Sequence, residues 1–412
     1  MRSALFGMCK KWYKFSFFFI SIFLFFLKAG IGQDSVKIIS MHEAVKLALS
    51  NNPYSKNAEL HLKAAKIRSL SGIELGNTEI NYLNGQVYSA TNDQFLEIDQ
   101  HIGSLLTLVQ KRKYNKQVTR LAESEQELTV KKLTAEVKIK YTNFLYQYVK
   151  LKVIKELSQF YDTALNIYGK PYGQSDTSNL KRITAETHYA EYQNLLFQAE
   201  QDYRLVNNQL QQEMNVSGNF VPADSTLELY AIEILNSGPD KFYPASSISF
   251  YNETFVLRQA ELSVERSKLF PEFTGGYFNH QINHIGGFQG IKLGVSFPLW
   301  YFPQKSKITE ARINLEMAKN DLDYQEFNLT KEIENMKILL DKYFVQISYY
   351  RENALHKADL LIQYANQQFK KGEIDYSAYF DNLEMALKIQ LDYLETIKSY
   401  NQTAIQMESF ID

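Results

Sequence analysis

The sequence predicts a mainly α-helical fold with a membrane β-barrel portion, built from two copies of the order helix, β-hairpin, long helix, helix. Three observations lead to this prediction. Apolar and polar residues alternate near residues 290–297, the stretches 105–168 and 305–369 contain no glycine or proline, and similar segments recur about 196 residues apart. Alternation is typical of a strand with one apolar face, whereas the uninterrupted stretches favour long helices.

The composition excludes some classes of partner before any motif is considered. The 412 residues carry 45 basic and 46 acidic side chains. The chain therefore lacks the excess of positive charge that would indicate binding to nucleic acid or to an anionic membrane surface. Aromatic residues reach 14%, mostly Tyr and Phe. Such rings are common where a protein meets a membrane interface.

Residues 1–32 have the pattern of a signal peptide. Basic residues precede an apolar run at 15–27, "FSFFFISIFLFFL", which is shorter than a membrane-spanning helix. We expect cleavage after Gly32, and an uncleaved anchor is the alternative. Cys9, the one cysteine, lies before the apolar run, so lipidation is not predicted. The mature chain would then contain no disulfide and no thiolate metal site.

The first predicted repeat covers residues 33–214. Ser40 and Glu43 form a capping-box pattern ahead of a helix that Asn52–Pro53 interrupts. A β-hairpin is predicted at about 77–102, with a polar turn at "ATNDQ". On its second strand, apolar residues alternate with polar ones: Leu96, Ile98 and Ile102 against Glu97, Asp99 and His101.

A long helix follows the hairpin from about Leu105 to Tyr168. Its apolar residues are spaced four and three apart, as in a coiled coil: Val137, Tyr141, Phe144, Tyr148 and Leu151. The turn "GKPYGQSD" leads to another helix that ends near Met214. Residues 215–245 are rich in proline and glycine and are predicted to be a linker.

The second predicted repeat, residues 246–412, has the same order of elements. A helix precedes a hairpin at about 271–300, and a long helix from Lys305 to Phe369 leads through "KKGEID" to a final helix. "LTAEV" at 133–137 matches "LTKEI" at 329–333, which sets the offset of 196. This period is far longer than that of solenoid repeats, so the pattern indicates a duplicated half-protein.

Four strands in one chain are too few for a closed barrel. An open sheet in lipid would leave unpaired backbone groups at its edges, which is very costly, and bacterial membrane barrels have at least eight strands. We therefore expect other copies of the chain to complete the barrel. Two copies would supply eight strands and three copies twelve.

Four segments resemble the TolC-type outer-membrane efflux proteins: "SMHEAVKLALSNNP", "RSKLFPEFTGGY", "GVSFPLWYFPQKSKITEAR" and "FKKGEIDYSAYFDNLEMA". The resemblance extends over residues 40–412. It implies a homotrimer with a 12-stranded outer-membrane barrel continued by an α-helical tunnel in the periplasm of a Gram-negative bacterium. Two further segments, "IELGNTEINYLNGQ" and "NLKRITAETHYAEYQNLL", are similar to the cobalt–zinc–cadmium (CzcC-like) heavy-metal branch. The first hairpin departs from the family pattern, since "HIGSLLTLVQ" lacks the usual proline.

The resemblance also implies a function and partners. The chain would be the passive exit duct of a tripartite efflux system, joined by a periplasmic adaptor (membrane fusion) protein to an inner-membrane resistance–nodulation–division-type pump. Heavy-metal cations are the expected cargo, and drug efflux or type I secretion are alternatives. A periplasmic coiled-coil scaffold or adhesin without a pore is an alternative of another class.

Several side chains of the hairpins are predicted to face lipid: Phe273, Tyr277, Phe288, Ile291, Leu293, Val295 and Phe297. The alternative is a soluble sheet packed on the helices, although no second apolar layer is evident to cover it. Glu97 and Asp99 are predicted to line the barrel lumen and to favour cations. A plain solvated face would accept the same two carboxylates.

The two turns between long helices hold matching residues. Gly173 and Gly372 allow the positive φ that ends a helix, and Asp176 and Asp375 can cap the next one. The resemblance places these four residues at the periplasmic tips, in contact with the adaptor. Capping alone would also explain them.

No pattern of catalytic or cofactor-binding residues is evident. His280 and His284 are predicted to lie in an exposed loop without an acidic partner, and GxSxG, P-loop and HExxH motifs are absent from the sequence. We therefore predict no enzyme activity, no cofactor and no metal site.

Overall fold

The computed structural model describes residues 36–70, 75–158, 160–162, 176–231 and 245–410. The predicted signal peptide, Gly173 and the side chain of Asp176 lie outside this description. The helices are α1 (Met41–Asn51), α2 (Pro53–Leu70), α3 (Leu105–Glu156), α4 (Asp176–Met214), α5 (Ala245–Ser267), α6 (Phe302–Tyr349), α7 (Leu355–Lys371) and α8 (Tyr376–Ser409). The strands are β1 (Lys37–Ile39), β2 (Thr78–Gly85), β3 (Asp93–Gly103), β4 (Phe220–Pro222), β5 (Glu272–Ile282) and β6 (Ile285–Ser296). The prediction of a mainly helical fold is confirmed.

The two hairpins, one from each predicted repeat, join into a single antiparallel sheet with the order β2–β3–β5–β6. Strand β3 pairs with β5, so the sheet continues across the repeats. Within the described residues β2 and β6 pair on one side only and form the edges. The strands overlap the windows 77–102 and 271–300.

The long helices pack side by side below the sheet. Next to the strands the order is α2, α3, α5, α6. Further away α3 packs against α4 and α8, and α8 also packs against α6 and α7. Helix α3 alone, with its 52 residues, spans about 78 Å at the usual rise per residue. The body is therefore an elongated bundle, and the sheet lies at one end of it.

The core follows narrow stripes on these helices. On α3 the predicted coiled-coil positions Val137, Tyr141 and Phe144 are fully buried. The Tyr141 hydroxyl lies 3.1 Å from the Ile39 carbonyl oxygen and 3.2 Å from Asp224 Oδ2, and its one hydrogen can be donated to either acceptor. Burial, followed by the negative charge of Asp224, raises the pKa of Tyr141, so the hydroxyl remains a donor.

Local sequence signals set several helix boundaries as predicted. The Ser40 side chain accepts from the Glu43 backbone N–H, and Glu43 accepts from the Ser40 backbone N–H, which completes the capping box. Asn52 adopts an extended backbone before Pro53, so α1 ends there and α2 begins at the proline. Pro303 lies in the first turn of α6. Backbone N–H groups in the first turn have no partner within the helix, so the proline costs no helical hydrogen bond there.

Each repeat interrupts its long helix at the same place. Helix α3 ends at Glu156, where Leu157 donates to Ile154 instead of continuing the α-helical ladder. In the second repeat a π-helical turn, Tyr350–Ala354, separates α6 from α7. An offset of 196 places Tyr350 on Ile154. The sequence predicts uninterrupted helices here, and neither irregularity could be predicted, because no glycine or proline marks them.

A short parallel pair of strands was also not predicted from the sequence. β1 pairs with β4, so the start of the described chain is joined to residues that were predicted to be a linker. Phe220 of β4 is buried in the main core, and its carbonyl accepts from Tyr203 at 3.1 Å. Three-residue strands are too short for alternation to be visible in the sequence.

A search of the described helices for a stretch both long enough and apolar enough to cross a bilayer finds none.

Candidate functional site

The sheet has one apolar face. The strand register places Ile80, Ile98, Tyr277 and Ile291 side by side in one row across all four strands. Leu293 follows two positions after Ile291 on the same face, and these two side chains are 84% and 79% exposed. Within the described chain this face therefore lacks the second layer that a soluble sheet would need.

The prediction for Phe288 is corrected by the register. Phe273, Tyr277, Ile291, Leu293 and Val295 share the apolar face, because Tyr277 pairs with Ile291 and Phe273 with Val295. Phe288 is three positions from Ile291 and pairs with His280, so it lies on the opposite face. Phe297 directly follows β6 and is exposed. The aromatic side chain of Phe288 favoured a lipid-facing prediction, but the alternation of side chains along β6 determines its face.

An exposed group of residues, mostly aromatic, follows β6. It was not singled out from the sequence. Leu299, Trp300, Tyr301 and Phe302 are all exposed, and the Tyr301 and Phe302 rings stack with centroids 4.5 Å apart. This group lies where the sheet passes into α6. Its aromatic content, "PLWYFP", is the signal that could have identified it.

The other face carries the charges. Lys292 Nζ donates to Asp99 Oδ2 at 2.7 Å and to Glu97 Oε2 at 3.3 Å. Lys292 and Asp99 belong to strands on either side of β5, and Gly276 lies between them in the register. A side chain at Gly276 would collide with the Asp99 carboxylate. Glycine at this position therefore lets the lysine reach across the middle strand.

The prediction that His280 lies in a loop without an acidic partner is wrong. His280 belongs to β5, and its Nε2 is 3.2 Å from Glu97 Oε1. Its ring packs edge-on against Phe95 with centroids 4.5 Å apart. His284 does lie in the turn, where it and Asn283 both have positive φ, as in a type I′ hairpin. The error arose because the pairing of β3 with β5 joins residues 183 apart in sequence.

A buried carboxylate ties the two hairpins together at their loop end. Asp93 is fully buried and accepts from the backbone N–H groups of Tyr88 and Ser89 at 2.8 and 2.9 Å. It also accepts from the Asn283 N–H, at 2.9 Å, in the turn of the other hairpin. Asp93 lies in the segment predicted to be only a polar turn, and its role depends on a contact that sequence spacing does not show.

The helix ends far from the sheet retain the predicted caps where the structure describes them. Gly372 ends α7 with a φ of 74°, and the Asp375 side chain accepts from the Ala378 N–H at 2.9 Å to begin α8. Capping is thus confirmed for these two residues. Contact with an adaptor stays a prediction. Helix α4 begins at Asp176.

Comparison with known proteins identifies the fold. No family model and no curated protein matches the sequence. The CmeC outer membrane channel of Campylobacter jejuni matches with a TM-score of 0.75 and 13% identity, covering 90% of this chain and 85% of that one. CusC, studied for transmembrane channel formation, matches with a TM-score of 0.72 and 15% identity, covering 90% of this chain and 91% of that one. The outer membrane protein VceC of Vibrio cholerae matches with a TM-score of 0.73 and 13% identity, covering 90% of this chain and 95% of that one. The chain therefore has the fold of these outer-membrane channel proteins.

Proposed function

We propose that the chain forms a homotrimeric exit duct in the outer membrane, which passes substrates delivered by an inner-membrane pump through a periplasmic adaptor. The apolar face of the sheet would contact lipid, and the face with Glu97 and Asp99 would line the lumen. Three copies would place twelve strands in one barrel and satisfy the edges of β2 and β6. The observation that carries the proposal is an apolar sheet face with nothing in the described chain to cover it.

A second unpartnered surface on α6 supports association of several copies. One stripe of this helix is buried within the chain, including Ala311, Leu329 and Leu340. A second stripe is apolar but exposed, and its members follow one another at close to whole numbers of helical turns, about 3.6 residues per turn: Ile313, Met317, Tyr324, Phe327, Ile338, Val345 and Tyr349. Such spacing suits contact with another helix. A neighbouring copy of the chain would bury this second stripe.

Several charges favour cations as cargo. Glu79 pairs with Asp99 in the register, so it lies on the same face. Together with Glu97, these two carboxylates outnumber Lys292, the lysine that the described strands of this sheet place on that face. Three copies would repeat this negative ring around a lumen. Heavy-metal cations are therefore the proposed cargo.

The test of the duct combines assembly with conductance. The protein extracted from outer membranes in mild detergent should migrate as a trimer that dissociates on heating, and it should produce stepwise conductance in a planar bilayer. A monomer without conductance would contradict the duct and favour the pore-free scaffold.

The proposed cargo is tested in a deletion strain, which should become sensitive to zinc, cobalt or cadmium salts. Sensitivity to drugs alone, or loss of a secreted protein, would instead assign the cargo to one of the alternatives.

A further inference from the structure

One cluster of metal-ligating side chains lies outside the sheet and is not used by the proposed duct. It consists of His188 and Glu191 on α4 and Glu384 on α8. His188 and Glu384 are 196 residues apart. His188 lies on the last helix of the first repeat and Glu384 on the last helix of the second, so the cluster joins the two halves of the chain.

The distances within the cluster fit a small divalent cation. His188 Nδ1 is 3.2 Å from Glu384 Oε1 and 3.7 Å from Glu191 Oε2, and the three ligand atoms lie within 4.8 Å of one another. Zinc bonds to nitrogen and oxygen of about 2.0–2.2 Å place neighbouring corners of a tetrahedron about 3.3–3.6 Å apart. Small rotations of the two carboxylates would therefore bring all three atoms onto one ion.

The histidine ring is held in position before any ion binds. Its side chain is only 20% exposed, and the ring stacks on Phe380 with centroids 4.8 Å apart and an angle of 11° between the planes. Phe380 is fully buried in the core. The two glutamates are more exposed, which leaves a path for the ion and room for a water ligand.

The ligand types select the class of metal. One imidazole nitrogen with two carboxylates suits zinc and similar divalent transition ions, whereas calcium and magnesium prefer oxygen ligands throughout. His188 and Glu191 also have the i, i+3 spacing on one helix that helical bundles use to present two ligands to one ion.

We propose that His188, Glu191 and Glu384 bind one Zn²⁺-class ion that links α4 to α8. The link would restrain these two helices from separating. It joins one helix of each repeat within a single chain, and it does not depend on the proposed duct.

Zinc binding is measured by calorimetry on the full chain purified in detergent and treated with chelator. One zinc per chain is expected. The near-isosteric Glu384→Gln variant and His188→Ala should each weaken zinc affinity more than about tenfold, since even changes behind a ligand cost 10- to 100-fold. Magnesium at the same concentration should not compete.

The matched control is His356→Ala, which removes an exposed histidine on α7 and should leave zinc affinity unchanged. Circular dichroism of each variant without metal checks that the helices remain folded. Absence of zinc binding by the wild type, or binding that Glu384→Gln and His188→Ala leave unchanged, would overturn the proposal. Because conductance is not part of this measurement, its outcome is separate from that of the duct.

Discussion

The apolar side chains of β6 and those of α3 belong to the same residue classes but have opposite surroundings. Ile291 and Leu293 are largely exposed, whereas Val137 and Phe144 are fully buried by neighbouring helices of the same chain. Burial of such side chains stabilises a protein by about 1.5–3 kcal/mol each. Helix α3 gains this stabilisation within the chain, whereas the described part of the chain does not supply it to β6. The comparison shows that this fold separates the apolar residues that hold one chain together from those that the described chain leaves exposed.

The largest effect is expected when a charge is placed on the apolar face of β6. Leu293→Arg should cost about 2–4 kcal/mol per chain near the middle of a bilayer, and a trimer incurs this cost three times. We expect little trimer in outer membranes, measured by unheated gel electrophoresis of the membrane fraction. Ser296→Arg is the control, since Ser296 lies on the polar face of the same strand. Equal amounts of trimer for both variants would contradict a lipid-facing role.

Truncating a buried phenylalanine of α3 and an exposed phenylalanine of α6 should have different effects. Phe144→Ala should lower the free energy of unfolding by about 3–5 kcal/mol, because it opens a cavity in the core. Phe327→Ala, on the exposed stripe of α6, should leave the unfolding of a dissociated chain nearly unchanged but weaken the trimer. Urea denaturation followed by circular dichroism measures the first effect, and dissociation in detergent measures the second. The reverse pattern would contradict the assignment of the two stripes.

The polar face is tested by removing its lysine. Lys292→Met leaves Glu97 and Asp99 without the cation they share, so each chain gains one net negative charge on this face. The preference of the channel for cations should increase, measured as the reversal potential across a salt gradient. Asp99→Asn should shift the potential in the opposite direction. Lys305→Met, which removes an exposed lysine in the first turn of α6, is the control. A shift of equal size in that control would contradict a specific role for the cluster.

The smallest effect is expected at the helix end far from the sheet. Gly372 has a φ of 74°, a conformation that costs other residues about 1–2 kcal/mol. Gly372→Ala should therefore lower the free energy of unfolding by about 1 kcal/mol while the sheet is unaffected. Gly286→Ala, at an open position without positive φ, should be nearly neutral. Thermal unfolding compares the two, and equal losses would contradict the role of the left-handed conformation.

The sequence predicts what local periodicity determines. The alternation at Ile291, Leu293 and Val295 identified a strand, and the caps at Ser40 and Asp375 follow from short-range hydrogen bonds. The errors concern contacts between distant segments. Neither the pairing of His280 with Glu97 nor the bonds to buried Asp93 could be predicted. The sequence of one hairpin does not show the register in which it pairs with the other hairpin.

The irregular parts of the helices were unpredictable for another reason. The π-helical turn at Tyr350–Ala354 and the interruption at Leu157 occur in sequences with ordinary helix formers. Tertiary packing decides such features, and propensity alone gives only a weak preference. The His188–Glu384 contact likewise required two helices to be placed side by side before its residues could be seen as one cluster.

The proposed duct requires one face of β6 to meet lipid and the other to meet water. Single cysteines at 291, 292, 293, 295 and 296, in a chain whose Cys9 is replaced by serine, would be labelled with a fluorophore in reconstituted membranes. Quenching by brominated lipid should be strong at 291, 293 and 295 and weak at 292 and 296, with the opposite order for a water-soluble quencher. Uniform quenching by the water-soluble reagent at all five positions would contradict the account.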